Sequence, residues 1–405
     1  MSDAPVTLSQ VAREAGVSLA TASRAINGSA TRSVREDLRE RVLEAARRLA
    51  YSPDPSAQAM ARGRTTALGL VVHDIADPYF STIAAGVARA AEQAGLIVTL
   101  ASTEHSSERE LAFVELARRQ RSRAIILAGG RLEPAEGPTA EGGAVADGGA
   151  TVDRGATVDG GATVPSGSGV PASDGRVPEP SSDAPAHGGA GPAPGALEAA
   201  LNAFQEAGGG VALIGQAIGG LPVVEIANAD GAADLARALH DHGYRRFAVL
   251  AGPAGHRTAA DRTSGFTGAL AELGSPVAPD DVLACPFTRD GGYSAMRGLI
   301  ERAGGLPELV FAVNDVMAVG AMAAVRDAGL SVPEDVAVAG FDDIHTLRDV
   351  SPGLTTVRIP LAEVGELATD LALGRSEGTR TAVRGEVVLR DSTPRRPAGT
   401  PTPDA

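Results

Sequence analysis

Hydrophobic and polar positions alternate along most of the chain in blocks that are typical of an α/β protein. From Thr65 onward, apolar runs such as TALGLVVHDI, LIVTLAST and RAIILAGG predict buried strands, and the longer segments between them carry apolar residues at helical spacing. The same rhythm resumes after residue 195 and continues to about residue 343. Many predicted helices are followed by glycine, as at Gly95, where a left-handed residue ends the helix. Strands that alternate with helices in this way predict mainly parallel sheets covered on both faces.

The first 50 residues follow a different pattern, which predicts three short helices. In the stretch VTLSQVAREAGVSLATASRAINGS, Thr7 and Gln10 have the spacing of a capping box at the start of the first helix. Gly16 stands at the predicted turn, where a positive φ costs a residue other than glycine about 1 kcal/mol or more. Ser18 is placed to cap the second helix. The pattern therefore predicts a helix-turn-helix, with a generic two-helix hairpin as the alternative.

One face of the predicted second helix is small, rich in hydroxyl groups and positively charged at its tip. Such a face suits insertion of the helix N-terminus into a major groove, with hydroxyl and backbone N–H groups on phosphates. The candidate DNA-binding residues of this head are Thr7, Ser18, Leu19, Ala20, Thr21, Ser23, Arg24 and Asn27.

The distribution of charge agrees with a DNA-binding head on an acidic body. Up to Arg64 the chain has ten Arg against seven Asp and Glu, so this part carries +3 and the other residues −17 of the total of −14. A small anion-binding module attached to a larger domain has this asymmetry, although +3 is small enough to arise by chance. The single Cys285, the absence of a secretory signal pattern and the absence of an apolar run of about 18 residues predict a cytoplasmic protein without a membrane segment.

A low-complexity segment interrupts the body between about residues 132 and 195. It contains four hexads, GGAVAD, GGATVD, RGATVD and GGATVP, from Gly142 to Pro165. A hexapeptide β-helix is one interpretation, but four hexads make little more than one coil. The favoured interpretation is a flexible, disordered insertion.

The head closely resembles that of the lac repressor (LacI/GalR) family of bacterial transcription regulators. The segment VREDLRERVLEAARRLAY, from Val34 to Tyr51, is similar to the third helix of that family. Two features differ from the family: the preceding loop has about two extra residues, and Arg35 stands where a capping serine is usual. Ser33 is expected to supply the cap instead.

The connector YSPDPSAQAMARGRT resembles the family hinge and assigns residues 51–64 to it. The resemblance implies a helix that forms when two subunits bring it to the minor groove, where an apolar side chain opens a base step. Met60 occupies the position of that side chain, and Ala57 is the second candidate DNA contact of the hinge. Asp54 and Gln58 replace the usual Asn and Arg. An ordinary interdomain linker is the alternative.

The resemblance continues through the body and implies the fold class. An all-α helix-turn-helix head (residues 1–50) and the hinge are expected to precede an α/β periplasmic-binding-protein-like body of two doubly wound parallel-sheet lobes (residues 65–392). Residues 393–405 are expected to form a disordered tail. In open parallel sheets, ligands bind beyond the carboxyl ends of the strands, which places the effector between the lobes.

Residues that follow the predicted strands are the candidate effector contacts. Asp77, Tyr79 and Phe80 lie in ADPYF, where an aromatic face suits a sugar ring and a carboxylate accepts hydroxyl hydrogen bonds. The alternative places the two aromatic residues in the core. Arg262, in DRTSGF, matches a ligand-contacting arginine of the family, with a surface salt bridge as the alternative.

The segment AVNDVMAVGAMAAVRDAGLSVPEDVAVAGFDDI carries the most specific resemblance of the body. It implies that Asn314 and Asp342 contact the effector, and Asp315 and Asp343 are expected to hold loop backbone. Asn228 is a further candidate contact. The residue before it is alanine where the family commonly has aspartate, so the resemblance does not identify the effector.

Taken together, these features predict a sequence-specific DNA-binding regulator, most simply a homodimeric repressor of a double-stranded operator controlled by a small sugar-like effector. An effectorless or corepressor-dependent regulator and a solute-binding protein are the alternatives. No phosphate-binding loop, HExxH motif or nucleophile elbow with matching partners is present, so neither an enzyme nor a cofactor or metal site is expected. His240, His242 and His256 are expected to be solvated.

Overall fold

The computed structural model describes two separate parts of the chain, a small helical head and a larger α/β body. The described residues are 6–27, 34–52, 65–130, 193, 195–302 and 304–397. The predicted hinge contacts Ala57 and Met60 lie outside these residues, as does nearly all of the predicted insertion 132–195. None of the described helices is long and apolar enough to cross a membrane.

Three helices pack around a small core in the head. They are α1 (Leu8–Glu14), α2 (Leu19–Asn27) and α3 (Glu36–Arg48). The core consists of small and β-branched side chains that allow close packing: Val11, Ala12, Ala15, Ala22, Ala25, Val42 and Ala45. The predicted capping box is present, since Thr7 and Gln10 bond reciprocally at the start of α1.

The turn between α1 and α2 has the predicted left-handed glycine, with Gly16 at φ +64°. The guanidinium group of Arg41, on α3, donates to the carbonyl oxygen of Ala15 and so ties the third helix to this turn. Ser33, the expected cap of α3, lies outside the described residues. Arg35 itself occupies the N-cap position without a side-chain cap bond, and it pairs with Asp37 at 3.0 Å.

The body contains eight further α-helices and twelve strands among its described residues. The helices are α4 (Pro78–Gln93), α5 (Ser107–Arg119), α6 (Ala196–Glu206), α7 (Asn228–Asp241), α8 (Arg257–Glu272), α9 (Arg289–Glu301), α10 (Asp315–Asp327) and α11 (Leu361–Ala372). The strands are β1 (Ala67–Val72), β2 (Ile97–Ser102), β3 (Ala124–Gly129), β4 (Gly210–Gly215), β5 (Val223–Ile226), β6 (Phe247–Gly252), β7 (Val282–Ala284), β8 (Leu309–Ala312), β9 (Ala337–Ala339), β10 (Thr356–Arg358), β11 (Arg380–Val383) and β12 (Glu386–Val388). Two short 3-10 helices cover Pro279–Asp281 and His345–Asp349.

Two parallel sheets form the two lobes. The first has the order β2-β1-β3-β4-β5-β11 and the second the order β7-β6-β8-β9. In the first lobe, neighbouring residues of a strand enter different cores: Leu70 packs with α4 and α11, and Val71 packs with α5 and α6. Both faces of this sheet are therefore covered, as the near-continuous apolar strands predict.

The chain passes between the two lobes three times within the described residues. It leaves the first sheet after β5, returns between β10 and α11, and leaves again after β11. Strands β10 and β12 pair antiparallel at this crossing. The crossing strands hold the lobes at a shared boundary, where the carboxyl ends of β1, β3, β6 and β8 meet.

Several elements differ from the sequence expectation. The apolar pattern predicts helices that begin at Gly231 and Arg262, but α7 and α8 begin three and five residues earlier, because polar residues fill their first turns. Helix α11 and the short strands β5, β10, β11 and β12 were not predicted. The predicted tail 393–405 was wrong for its first residues: Thr393 is buried, and the backbone N–H of Arg396 donates to the His242 carbonyl oxygen.

Candidate functional site

A pocket lies between the lobes at the carboxyl ends of their strands and encloses about 100 Å³. All seven residues predicted as effector contacts line it: Asp77, Tyr79, Phe80, Asn228, Arg262, Asn314 and Asp342. The structure therefore brings together residues that are up to 265 positions apart in the chain. Whether each one contacts a ligand stays a prediction.

The ADPYF segment forms the start of α4. The Asp77 carboxylate caps this helix by accepting from the Tyr79 backbone N–H at 2.9 Å, so one of its two oxygens has a structural function. Burial raises the pKa of Asp77, and the nearby Asp74 carboxylate acts in the same direction. Phe80 is buried in the core of the first lobe and also reaches the pocket, so both interpretations of this aromatic residue apply.

Arg262, on α8, is the centre of a buried polar network and is 1% exposed. Its Nη1 and Nη2 donate to the two Asp342 carboxylate oxygens at 3.1 and 2.7 Å, and its Nε donates to Asn228 Oδ1 at 2.8 Å. Nη1 also donates to the Val313 carbonyl oxygen, and the guanidinium group lies 3.9 Å from the centre of the Phe341 ring. The alternative of a surface salt bridge was wrong, because the ion pair is buried within the second lobe.

The carboxylates beside Arg262 are perturbed by burial. Burial raises the pKa of Asp342 to about 6, against the opposing effect of Arg262. Burial also raises the pKa of Asp315, which is fully buried and accepts from the Ile344 backbone N–H at 2.9 Å. Asp315 therefore holds loop backbone as predicted. Asp343 does not, because its carboxylate binds the guanidinium groups of Arg358 and Arg390 at 2.7 and 2.6 Å.

Asn314 is buried and caps α10, with its Oδ1 accepting from the Met317 backbone N–H at 2.9 Å. Its side-chain NH₂ group is the part that remains for a ligand. Like Asp77 and Arg262, this residue therefore combines a structural bond with a position on the pocket wall.

Three histidines form a wall of the pocket that the sequence analysis did not identify. His73 follows β1, and its Nε2 lies 3.4 Å from Glu110 Oε1, with both side chains buried. The rings of His73 and His105 are 4.2 Å apart, and those of His105 and His256 are 6.2 Å apart. The expectation that His256 is solvated was wrong, since it is 4% exposed. The available signal was position, since His73 lies in the last residues of the predicted strand TALGLVVHDI, close to where the predicted contacts begin.

The histidine wall does not form a metal centre. Among the described residues, no group of three or more His, Cys, Asp or Glu side chains is arranged to hold a metal ion. Burial lowers the pKa of His105, and His73 lowers it further. The wall therefore presents imidazole rings as hydrogen-bonding and stacking groups.

The head presents the predicted face of α2 at its surface. Leu19, which is 51% exposed, and Ala20 lie in its first turn, and the remaining candidates on α2 are half-buried. Ser18 Oγ accepts from the Thr21 backbone N–H at 3.1 Å and caps the helix as predicted. Arg24 Nε donates to the Ala20 carbonyl oxygen at 2.9 Å, which holds the guanidinium group along this face.

Comparisons with known proteins agree with both parts. Residues 7–54 match the family described as bacterial regulatory proteins, lacI family. Residues 65–135 match the periplasmic binding proteins and sugar binding domain of the LacI family, and residues 236–396 match a periplasmic binding protein-like domain.

Individual relatives extend the match over nearly the whole chain. The HTH-type transcriptional regulator GalS of Salmonella typhimurium is 31% identical over 378 residues, which cover 92% of this chain and 91% of the relative. A structure of the transcriptional regulator CelR with cellobiose is 26% identical, covers 96% of this chain and 99% of that chain, and has a TM-score of 0.59. The lac repressor dimer bound to operator is 21% identical, with coverage of 96% and 99% and a TM-score of 0.71, and shows the same fold. The chain is thus a DNA-binding transcriptional regulator that belongs to the lacI family of bacterial regulatory proteins.

Proposed function

We propose that the protein acts as a homodimeric repressor whose affinity for its operator changes when a small sugar-like effector binds between the lobes. Two heads read the halves of a near-palindromic operator, and the hinges, with Ala57 and Met60, contact the minor groove. An effector that prefers one arrangement of the lobes shifts the population of DNA-binding dimers. Coupling of this kind changes DNA affinity by about 1–3 kcal/mol.

The observation that carries the DNA-binding function is the geometry of the head. A capped α1, a left-handed Gly16 and a second helix capped by Ser18 leave the N-terminal face of α2 exposed. This arrangement supports insertion of α2 into a major groove, with Leu19, Ala20 and Arg24 at base edges and Thr7, Ser18, Thr21, Ser23 and Asn27 near phosphates or bases.

The size and lining of the pocket support a small carbohydrate effector. Its volume of about 100 Å³ restricts the ligand to a small molecule. Its walls combine aromatic rings with carboxylate, amide and guanidinium groups, as sugar recognition requires. The related CelR binds cellobiose, which supports a carbohydrate as the class of ligand.

One observation favours an effectorless regulator as a second candidate. The polar groups of Arg262, Asp342 and Asn228 bond to one another, and Asn314 Oδ1 caps a helix. A site whose polar groups are satisfied internally gains less from a ligand than a site with unpaired groups.

The DNA-binding function is tested by operator capture and a single substitution. Genomic fragments bound by the purified protein would supply the operator, and Arg24→Ala is expected to weaken binding to it by at least about fivefold, because a base-edge contact is worth about 1–3 kcal/mol. Gel-shift titration measures the change, and Arg326→Ala, an exposed arginine on the body, is the control. Operator affinity that is unchanged in the Arg24 variant would contradict the assigned face.

The effect of an effector on DNA binding is tested on the same complex of protein and operator. Neutral monosaccharides and cellobiose are added to the operator complex, and the sign of the change separates an inducer from a corepressor. No response to any sugar, together with an unchanged melting temperature, would favour the effectorless regulator. Sedimentation of the protein as a strict monomer on operator DNA would contradict the dimeric arrangement.

A further inference from the structure

His256 caps a helix and also lines the pocket. It is the N-cap residue of α8, and its Nδ1 accepts from the Ala259 backbone N–H at 3.4 Å. Its ring stacks on Phe287, with centroids 5.0 Å apart and an angle of 24° between the planes. The cap and the stacking contact together fix the position and the plane of the imidazole.

The cap also fixes the tautomer of this ring. Because Nδ1 accepts a hydrogen bond, the proton of the neutral imidazole is on Nε2. In the protonated ring Nδ1 also carries a hydrogen atom, which would point at the Ala259 N–H hydrogen. The cap bond therefore requires the neutral ring. In agreement, burial lowers the pKa of His256 to about 4, with further lowering by His105, His73 and Arg262.

The remaining donor has no protein partner in the described part of the chain. No described hydrogen bond involves Nε2 of His256, although the residue is 4% exposed and lines the pocket. The cap and the stacked Phe287 ring hold this donor in a fixed orientation on the pocket wall, so a ligand that accepts from it does not have to order the side chain first. The other recognised polar residues of the pocket already use part of their capacity within the protein.

We propose that His256 is a specificity-determining residue of the effector pocket, with its Nε2–H donating to an uncharged acceptor oxygen of the ligand. This inference rests on the proposed effector-binding function. The acceptor is a hydroxyl, ring or carbonyl oxygen of a neutral sugar or polyol. Anionic sugars such as phosphate esters are excluded, because Asp74, Asp77 and Asp342 surround the pocket and its one arginine is already paired.

Two substitutions separate the cap of His256 from its donor. Asparagine places an acceptor near the position of Nδ1, so His256→Asn keeps the cap and removes the donor. Glutamine places an NH₂ group near the position of Nε2, so His256→Gln keeps a donor and removes the cap. Ser106→Ala, which removes the N-cap of α5 at a residue that follows the pocket wall but does not itself line the pocket, is the control for loss of a cap alone.

Ligand affinity is measured by calorimetry with D-glucose, D-galactose, D-ribose and D-fructose, and with glucose 6-phosphate as the anionic probe. For each neutral sugar that binds the unsubstituted protein, His256→Asn is expected to weaken binding about tenfold, because one hydrogen bond to a donor of fixed orientation is lost. His256→Gln is expected to stay within about threefold, while its melting temperature falls by about 2–4 °C with the lost cap. Ser106→Ala is expected to lower only the melting temperature.

Two results would overturn the inference. Equal affinity of a neutral sugar for His256→Asn and the unsubstituted protein would show that Nε2 makes no contact with the ligand. Tighter binding of glucose 6-phosphate than of glucose would refute the exclusion of anionic sugars. An unsubstituted protein that binds none of the neutral sugars would instead refute the sugar-effector function, and the inference with it. The parent protein alone therefore distinguishes the two failures.

Discussion

At the scale of single residues, the pocket shows that a predicted ligand contact can also make a structural bond. Arg262 is buried and neutralised by Asp342, and it links the start of α7 to the ends of β8 and β9. A family resemblance identifies such an arginine as a contact without indicating that the lobe depends on it. Loss of Arg262 would therefore affect the stability of the second lobe.

We predict that Arg262→Ala lowers the free energy of unfolding by about 3–5 kcal/mol, because it leaves the Asp342 carboxylate buried without a partner. The double variant Arg262→Ala/Asp342→Ala is expected to lose less than the sum of the single changes. Urea unfolding followed by circular dichroism measures both. Arg297→Ala, which breaks an exposed pair with Glu301, is the control and should change stability little. Additive losses in the double variant would contradict a coupled pair.

The lowered pKa of His256 predicts a pH dependence of stability. With a folded pKa of about 4 and an unfolded pKa near 6.5, the unfolded chain binds the extra proton in the interval between them. Stability is therefore intact above pH 6.5 and falls by about 1.4 kcal/mol per pH unit toward pH 4 from this residue alone. Asp342, whose pKa is raised to about 6, acts in the opposite direction over part of this interval.

Comparison with a variant isolates the histidine from that opposing effect. His256→Asn keeps the cap and does not titrate, so its melting temperature relative to the unsubstituted protein is expected to rise steadily as the pH falls from 6.5 to 4. A difference in melting temperature that stays constant across this range would mean that His256 does not remain neutral in the folded state.

At the scale of secondary structure elements, the head depends on one turn and one inter-helix bond. Gly16 has a positive φ, and a Cβ atom there would lie 3.1 Å from Arg41 Nη2. The same guanidinium group donates to the turn carbonyl of Ala15. The angle between α1 and α2 is thus set jointly by local backbone conformation and by the third helix.

We predict that Gly16→Val abolishes operator binding and leaves the body folded. A β-branched residue at this φ costs about 1 kcal/mol or more, and its side chain displaces Arg41. Gel-shift titration and the thermal unfolding of the body measure the two effects. Gly95→Val is the matched control, since its φ is +68° but its Cβ meets no atom within 4 Å. Equal losses of DNA affinity in both variants would contradict the assignment.

At the scale of the whole molecule, the two lobes approach each other closely at the histidine wall. Gly130 follows β3 of the first lobe, and a Cβ atom there would lie 2.7 Å from both His256 Cε1 and Thr258 Oγ1 of the second lobe. The absence of a side chain at Gly130 therefore permits this close approach of the two lobes.

We predict that Gly130→Ala weakens effector binding about tenfold and reduces the response of the operator complex, because the added methyl group holds the lobes apart. Calorimetry with the neutral sugars measures the affinity. The control is Gly268→Ala on α8, where a Cβ atom meets nothing within 4 Å and alanine favours the helix. An effector affinity unchanged in the Gly130 variant would mean that binding does not require this contact.

The sequence predicted much of the molecule because many of its determinants are local. The capping box of Thr7 and Gln10, the left-handed Gly16 and the strands of the first lobe depend on residues a few positions apart. Strands β10 and β12 were missed because each has three residues of mixed polarity and is defined only by its partner. Helices α7 and α8 were placed late because their first turns are polar.

By itself the sequence determined the helix-turn-helix head, the two parallel-sheet lobes and the set of residues at the ends of the strands. Only the tertiary structure decided how those residues bond. It paired Arg262 with Asp342, which is 80 positions away, buried His256 between a cap and Phe287, and joined Arg396 to the second lobe. The physical reason is range: backbone propensity and apolar periodicity act over a few residues, whereas burial and charge pairing depend on segments that only the folded chain brings together.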